Sequence, residues 1–310
     1  MSVMLRIATR GSPLALAQAR EVARRLGDAH PALAAPGAIE IMPMHTSGDR
    51  LQQGSLADAG GKGLFTKEIE DALLERRADI AVHSMKDMPT ALPAGLIIAA
   101  LLPREDPRDA LIAGRARRIV EIPHGTVVGT ASLRRKAMLL HRRPDLTVVP
   151  LRGNVETRLK RISEGAVGAT FLAVAGLKRL GLADRASAIL EPDEMLPAVC
   201  QGTIGIECRA GDDATGALLA ALDDRPTAIC AAAERGFLAA LDGSCRTPIG
   251  GLAVLDGERV HLRGLIVRLD GSEALAVERR GAAADAASLG TDAGDELRRR
   301  APAGFFTDAG

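Results

Sequence analysis

The chain has 310 residues, 47% of them apolar and 25% charged, with a formal net charge of +1, enough for two or three domains. It has no Trp or Tyr and only five Phe, so the core is aliphatic and the composition argues against aromatic platforms for stacking bases or sugars. No apolar run approaches the ~18 residues that cross a membrane, and MSVMLRIATRGS lacks the apolar stretch of an export signal; the expected compartment is the cytoplasm.

Apolar runs of strand length alternate with helical patterns, which reads as α/β architecture. Leu5–Thr9 is a strand, and Ser12 with Pro13 supplies the cap and first position of a helix through LALAQAREVARRL. EIMPMHT is a second strand, ending at Ser47–Gly48–Asp49. After a Gly-rich loop, LFTKEIEDALLERR is an amphipathic helix and ADIAVHS a strand. The idiom then repeats. GTVVGT is a strand, Ser132 a cap and LRRKAMLLHRR a helix; DLTVVPL is a strand, Asn154 a cap and VETRLKRISEG a helix; GATFLAVAGL reads as an apolar strand running into a Gly turn.

IATRGSPLALAQA and VGTASLRRKAML echo each other, each a strand, a Thr, a short turn, a Ser and a helix. Two similar lobes follow, residues 1–102 with 200–220 and residues 105–197, crossed at Pro103–Asp109 and Leu196–Gly202. Beyond Arg225 the style changes. TAICAAAERGFLAAL is a helix, and GLAVLDGERVHLRGLIVRLDGSEALAVERR alternates around Asp256–Gly257 and Asp270–Gly271, an antiparallel meander. A helix around Asp285–Arg300 closes residues 224–310 as a smaller α+β domain.

Charge is unevenly spread. Between Arg104 and Arg161 there are 14 Lys or Arg against 6 Asp or Glu, so an anionic ligand is drawn to the middle of the chain. Helix starts at Ser12 and Ser132 lie beside Arg10 and Arg134/Arg135, and free N–H groups with guanidiniums select carboxylate or phosphate. GGKGLFTKE is not a phosphate loop, because Gly63 follows Lys62 where a hydroxyl is required; what remains is a loop with one cation, suited to a lid. HSMKDMPT follows a strand, where open α/β sheets bind ligands. There Asp87, beside Ser84 and Lys86, either steadies a cation, moves a proton or caps the next turn; His83 reads as a core or supporting residue. Arg152, Arg158, Arg161, Lys178 and Arg179 add cations, but without aromatics or a reading-helix motif they do not make a nucleic-acid face.

Four cysteines (Cys200, Cys208, Cys230, Cys245) form no CxxC pair and stand at no zinc spacing to a His, so neither a metal nor a disulfide framework is expected. DGSCRTPIGG, Asp242–Gly251, places Cys245 among turn formers beside Arg246. That thiol alone is a nucleophile, a metal ligand, an attachment point or none of these.

RIATRGSPLALAQA, GGKGLFTKEIEDALLERRADIAVHSMKDMPT, REDPRDALI, GTASLRRKAMLLHRRPDL, LRGNVETRLKR, LAVAGLKRLGL, LPAVCQGTIGIECR and DGSCRTPIGG occur in this order. Together they closely resemble the porphobilinogen deaminase (hydroxymethylbilane synthase) family, from about Leu5 to beyond Val267. The resemblance implies an α/β fold of two periplasmic-binding-protein-like lobes plus the smaller C-terminal α+β domain, usually as a monomer. It implies a dipyrromethane cofactor joined to Cys245 by a thioether. Four porphobilinogen molecules are then condensed head to tail, ammonia leaving each time as an electron-poor azafulvenium forms, and hydrolysis releases hydroxymethylbilane. Partners are porphobilinogen and the growing polypyrrole chain, with no nucleic acid and no membrane.

By the same match Asp87 is the catalytic carboxylate. Arg10, Ser12, Ser84, Lys86, Asp87, Thr130, Ser132, Arg134 and Arg135 hold the cofactor, and Arg10, Ser12, Lys62, Arg152, Arg158, Arg179 and Gln201 hold substrate. The cysteine loop then reads as an anchor, its glycines Gly243, Gly250 and Gly251 letting backbone and ligand approach and Arg246 favouring the thiolate. Asp58 stands where many relatives have Lys, and Cys200 where some have Gly. Two rival readings are a two-lobed anion-binding protein, which leaves the loop thiol unexplained, and a cysteine hydrolase, for which His261 is the nearest histidine in sequence.

Overall fold

The computed structural model describes residues 4–44, 66–243 and 247–306. The chain divides into two compact units, Met1–Arg104 with Thr203–Ala228, and Glu105–Gly202 with Ile229–Gly310.

The first unit is built on β1 (Leu5–Arg10), β2 (Ile39–Met44), β3 (Ile80–Ser84), β4 (Leu96–Leu101) and β10 (Ile204–Arg209), in the order β2-β1-β3-β10-β4. β1 runs parallel to β2 and β3, and β10 antiparallel to β3 and β4. Helix α1 (Pro13–Ala29) buries Ala15, Gln18, Ala19, Val22 and Leu26, the one-sided stripe of a surface helix. Ala19, Val22 and Leu26 pack with Ile7, Ile80 and Ile206. On the other side α2 (Lys67–Leu74) packs Ile69, Ala72 and Leu73 with Ala8 and Ala81. With both faces covered, β4 (LIIAAL) and the start of β3 (IAV) are continuous apolar runs rather than alternating ones.

The second unit repeats the plan with β5 (Asp109–Ile112), β6 (Val127–Gly129), β7 (Thr147–Val149), β8 (Ala169–Ala173) and β9 (Ala188–Ile189), in the order β7-β6-β8-β5-β9. β6 is parallel to β7 and β8, and β5 antiparallel to β8 and β9. Helices α3 (Leu133–Arg142), α4 (Val155–Ser163) and α5 (Val174–Arg179) follow β6, β7 and β8. The run GATFLAVAGL is therefore half strand and half helix: β8 stops at Ala173, and Gly176 is buried inside α5. An apolar run carries no period to mark that change.

The smaller C-terminal domain is the expected meander of β11 (Ile249–Asp256), β12 (Arg259–Val267) and β13 (Ala274–Ala282). Helix α6 (Asp213–Ala220) precedes α7 (Arg225–Ala240), and α8 (Ala286–Arg300) closes the domain. Leu252 of β11 and Val267 of β12 share one core with Leu111, Val128 and Phe171, which is why this domain clusters with the second lobe. Gly250 and Gly251 lie in β11, where an added Cβ would meet Leu196 O at 3.1 Å and Val199 Cγ2 at 3.0 Å. Protein neighbours thus use the space that the sequence reading gave to a ligand. Among the described residues no helix is long and apolar enough to cross a membrane.

Candidate active site

In each unit polar side chains gather at the carboxyl ends of the central parallel strands, where open α/β sheets hold ligands. In the first, β1 ends at Arg10 and the chain turns into α1 through Ser12, whose Oγ accepts from Ala15 N at 3.3 Å. β3 ends at Ser84, and a single 3-10 turn, Met85–Asp87, presents Lys86 and Asp87 half-buried. Arg10, Ser12, Gln18, His83, Ser84 and Asp87 line one pocket. Lys86 shares the turn but not the lining.

The pocket wall is braced from behind. Gln18 and Ser84 pair at 2.9 Å, and His83 Nε2 lies 3.0 Å from Glu207 Oε2. His83 and Glu207 are 6% and 0% exposed, so His83 is the supporting residue that the sequence suggested. Glu70 is buried as well; burial pushes its carboxyl above the ordinary range, and Thr66 pulls the other way while nearby Glu207 adds to the push.

The second cluster is more deeply buried. Thr130 follows β6, its Oγ1 accepts from Ser132 N at 3.1 Å, and Ser132 Oγ caps α3 by accepting from Arg135 N at 3.4 Å. Arg134 and Arg135 are 4% and 5% exposed and converge on Asp109, which is 0% exposed. Arg134 Nη2 donates to Asp109 Oδ2 and Arg135 Nη2 to Asp109 Oδ1, both at 2.7 Å. Their other Nη1 groups donate to Leu196 O and Phe171 O, also at 2.7 Å. Gln201 Nε2 reaches Asp109 Oδ1 at 2.9 Å and Pro107 O at 2.7 Å. Burial alone would raise the Asp109 carboxyl. The pull of Arg134 and Arg135, with hydrogen bonds from Arg135 and Gln201, outweighs it and holds the group well below the usual carboxylate range.

The remaining cations are placed singly. Arg158 Nε donates to Gly153 O at 2.9 Å, Arg179 Nη2 to Gly202 O at 2.9 Å, and Lys178 pairs with Glu105 at 2.7 Å. Arg152 is half-buried. Part of the central positive excess is spent on structure, since Arg108 pairs with Asp106 and Arg143 with Asp145. Cys200, Cys208 and Cys230 are buried, and burial raises Cys208. His261 pairs with Glu278 at 3.2 Å. Among the described residues no three His, Cys, Asp or Glu are grouped to hold a metal. Lys62, Cys245 and Arg246 lie outside the described residues.

Sequence reading missed Gln18, Glu207 and Asp109. Gln18 carried a signal, a polar residue on the buried stripe of α1. Asp109 carried a weaker one, an acid opening the apolar run DALI.

Two family models match the chain: "Porphobilinogen deaminase, dipyromethane cofactor binding domain" over residues 5–217 and "Porphobilinogen deaminase, C-terminal domain" over residues 228–299. A porphobilinogen deaminase of Paracoccus denitrificans is 59% identical over 97% of this chain and 96% of the relative. One of Nitrobacter hamburgensis is 56% identical over 98% and 96%. A TRAP periplasmic solute binding protein of Desulfovibrio salexigens has a TM-score of 0.42 at 11% identity, covering 72% of this chain and 73% of that one.

Proposed function

The chain belongs to the porphobilinogen deaminase family, and from that premise we propose that Asp87 is its catalytic carboxylate and Cys245 the anchor of its cofactor. The enzyme is a transferase of tetrapyrrole biosynthesis that acts on porphobilinogen and carries a dipyrromethane. Four porphobilinogen units are condensed with loss of ammonia, and hydroxymethylbilane is released by hydrolysis.

The residues suit such a ligand. Every porphobilinogen brings an acetate and a propionate, so the growing chain is a polycarboxylate that needs many fixed donors. Buried Arg134 and Arg135 share a single carboxylate, and the Nε of each is buried with no hydrogen-bond partner among the described residues. The capped start of α3 adds free N–H groups beside them. Thr130, Ser132, Arg134 and Arg135 would therefore hold the dipyrromethane acids, with Arg10, Ser12, Ser84 and Lys86 from the first lobe. Arg152, Arg158, Arg179 and Gln201 would take those of substrate, and Lys62 would belong to the lid loop. When bound, the dipyrromethane supplies the pyrrole carbon onto which substrate is joined.

Asp87 answers a different need. Ammonia leaving porphobilinogen creates a cation spread over the pyrrole, and a fixed carboxylate in a half-buried pocket stabilises it without reorganising. The Gln18–Ser84 and His83–Glu207 pairs hold the end of β3 and so aim the turn that bears Asp87. The observation that carries this reading is that Asp87 shares one pocket with Arg10, Ser12 and Ser84.

The test is intact mass. Purified protein should outweigh its sequence by the dipyrromethane and colour with an aldehyde reagent for free pyrroles, and Cys245→Ser should lose both signals; a bare thiol in active enzyme would overturn the anchor. The same reading takes the enzyme as a cytoplasmic monomer, which sedimentation and fractionation check.

A further inference from the structure

The Asp109 network holds more than a satisfied ion pair. Two guanidiniums and one carboxylate, all at least 95% buried, leave one positive charge uncompensated. A buried charge in that state is costly unless something completes it. Each arginine spends both Nη atoms on protein acceptors, Asp109 and a main-chain carbonyl, and each keeps its Nε unpartnered. The fork is thus locked from behind, with at least the Nε–H of each arginine left over.

We infer that Asp109 is a positioning residue: it fixes the planes of Arg134 and Arg135 and neutralises one of them, so that the pair accepts a single ligand carboxylate. This rests on the reading of Arg134 and Arg135 as cofactor-binding residues. The carboxylate itself touches only Arg134, Arg135 and Gln201 among the described side chains. Without it, two like charges would repel at close range and each fork would keep only its bond to a main-chain carbonyl. Gln201, bonded to both Pro107 O and Asp109, supports the carboxylate from the segment leading back to the first unit.

The experiment uses the full-length enzyme and reads cofactor load by intact mass, KM for porphobilinogen and thermal midpoint. Asp109→Asn keeps the shape but cannot accept from both arginines. It should lower the loaded fraction and raise KM by about 10-fold, the value of one charge-assisted hydrogen bond, with kcat of the loaded fraction less affected. Because Asp109→Asn buries two unpaired cations and risks unfolding, the double variant Asp109→Asn/Arg134→Gln restores the charge count. It should fold and still show reduced load and raised KM. Either variant, folded and at wild-type load and KM, overturns the positioning role. Arg135→Gln at full load and unchanged KM would instead sink the cofactor-binding reading of the pair, so the two failures are distinguishable.

Discussion

The two lobes share a sheet plan, four strands running one way with a single reversed strand, β10 or β5, in the fourth place, yet they treat charge in opposite ways. The first lobe leaves its polar residues half-buried around a pocket, with Asp87 on a single turn. The second buries two arginines and fastens them to an internal acid. On the proposed roles, the difference is a division of labour. A group that stabilises a changing charge has to reach the reacting atoms, whereas groups that grip a fixed carboxylate gain from being dry and immobile.

The largest effect expected from breaking this contrast is on turnover. Asp87→Ala should cost kcat at least about 10²-fold while shifting the thermal midpoint little; a folded variant with near-normal kcat removes Asp87 from the chemistry. The mirror result is expected from Asp109→Ala, a stability loss of about 3–5 kcal/mol from a broken buried network, measured by urea unfolding.

Gly202 provides a backbone comparison. It has φ of +92° and an added Cβ would sit 2.2 Å from Glu105 O, so Gly202→Ala should destabilise by more than about 1 kcal/mol. Ser12→Ala and Ser132→Ala each remove an N-cap and should cost about 1 kcal/mol.

The acid response should differ in sign between the lobes. Glu70, raised above its ordinary 4.5 by burial, contributes stability that is present below pH 4.5 and lost as pH rises through its higher folded value. Asp109, lowered from 3.8, contributes stability that is present above pH 3.8 and lost as pH falls toward its folded value. Unfolding free energies followed from pH 2 to 7 should show Glu70→Gln removing the first slope and Asp109→Asn the second.

Much of the site was legible because local chemistry marks it. Ser12 and Ser132 stand one residue before helical periodicity, and Asp87 stands just past an apolar strand. The strands that went unassigned, LIIAAL, DALI, IGIECR and the two-residue β9, are the ones that join their sheets only through antiparallel pairs: β4, β5, β10 and β9. They are short apolar runs, and their partners lie far along the chain; β10 pairs with β3 from Ile204 to Ser84.

The sequence by itself determined the two-lobed repeat, the meander that follows it and the family, and it pointed to the residues proposed for the site, since each is written in periodicity, turn residues or contiguous motifs. Only the tertiary structure decided that Arg134 and Arg135 are sealed on Asp109, that His83 leans on Glu207, and that Gly250 and Gly251 make room for Leu196 and Val199. Those facts join residues from 25 to 124 positions apart in several pairs, and burial and charge compensation act on distance in space, which no local pattern in a chain records.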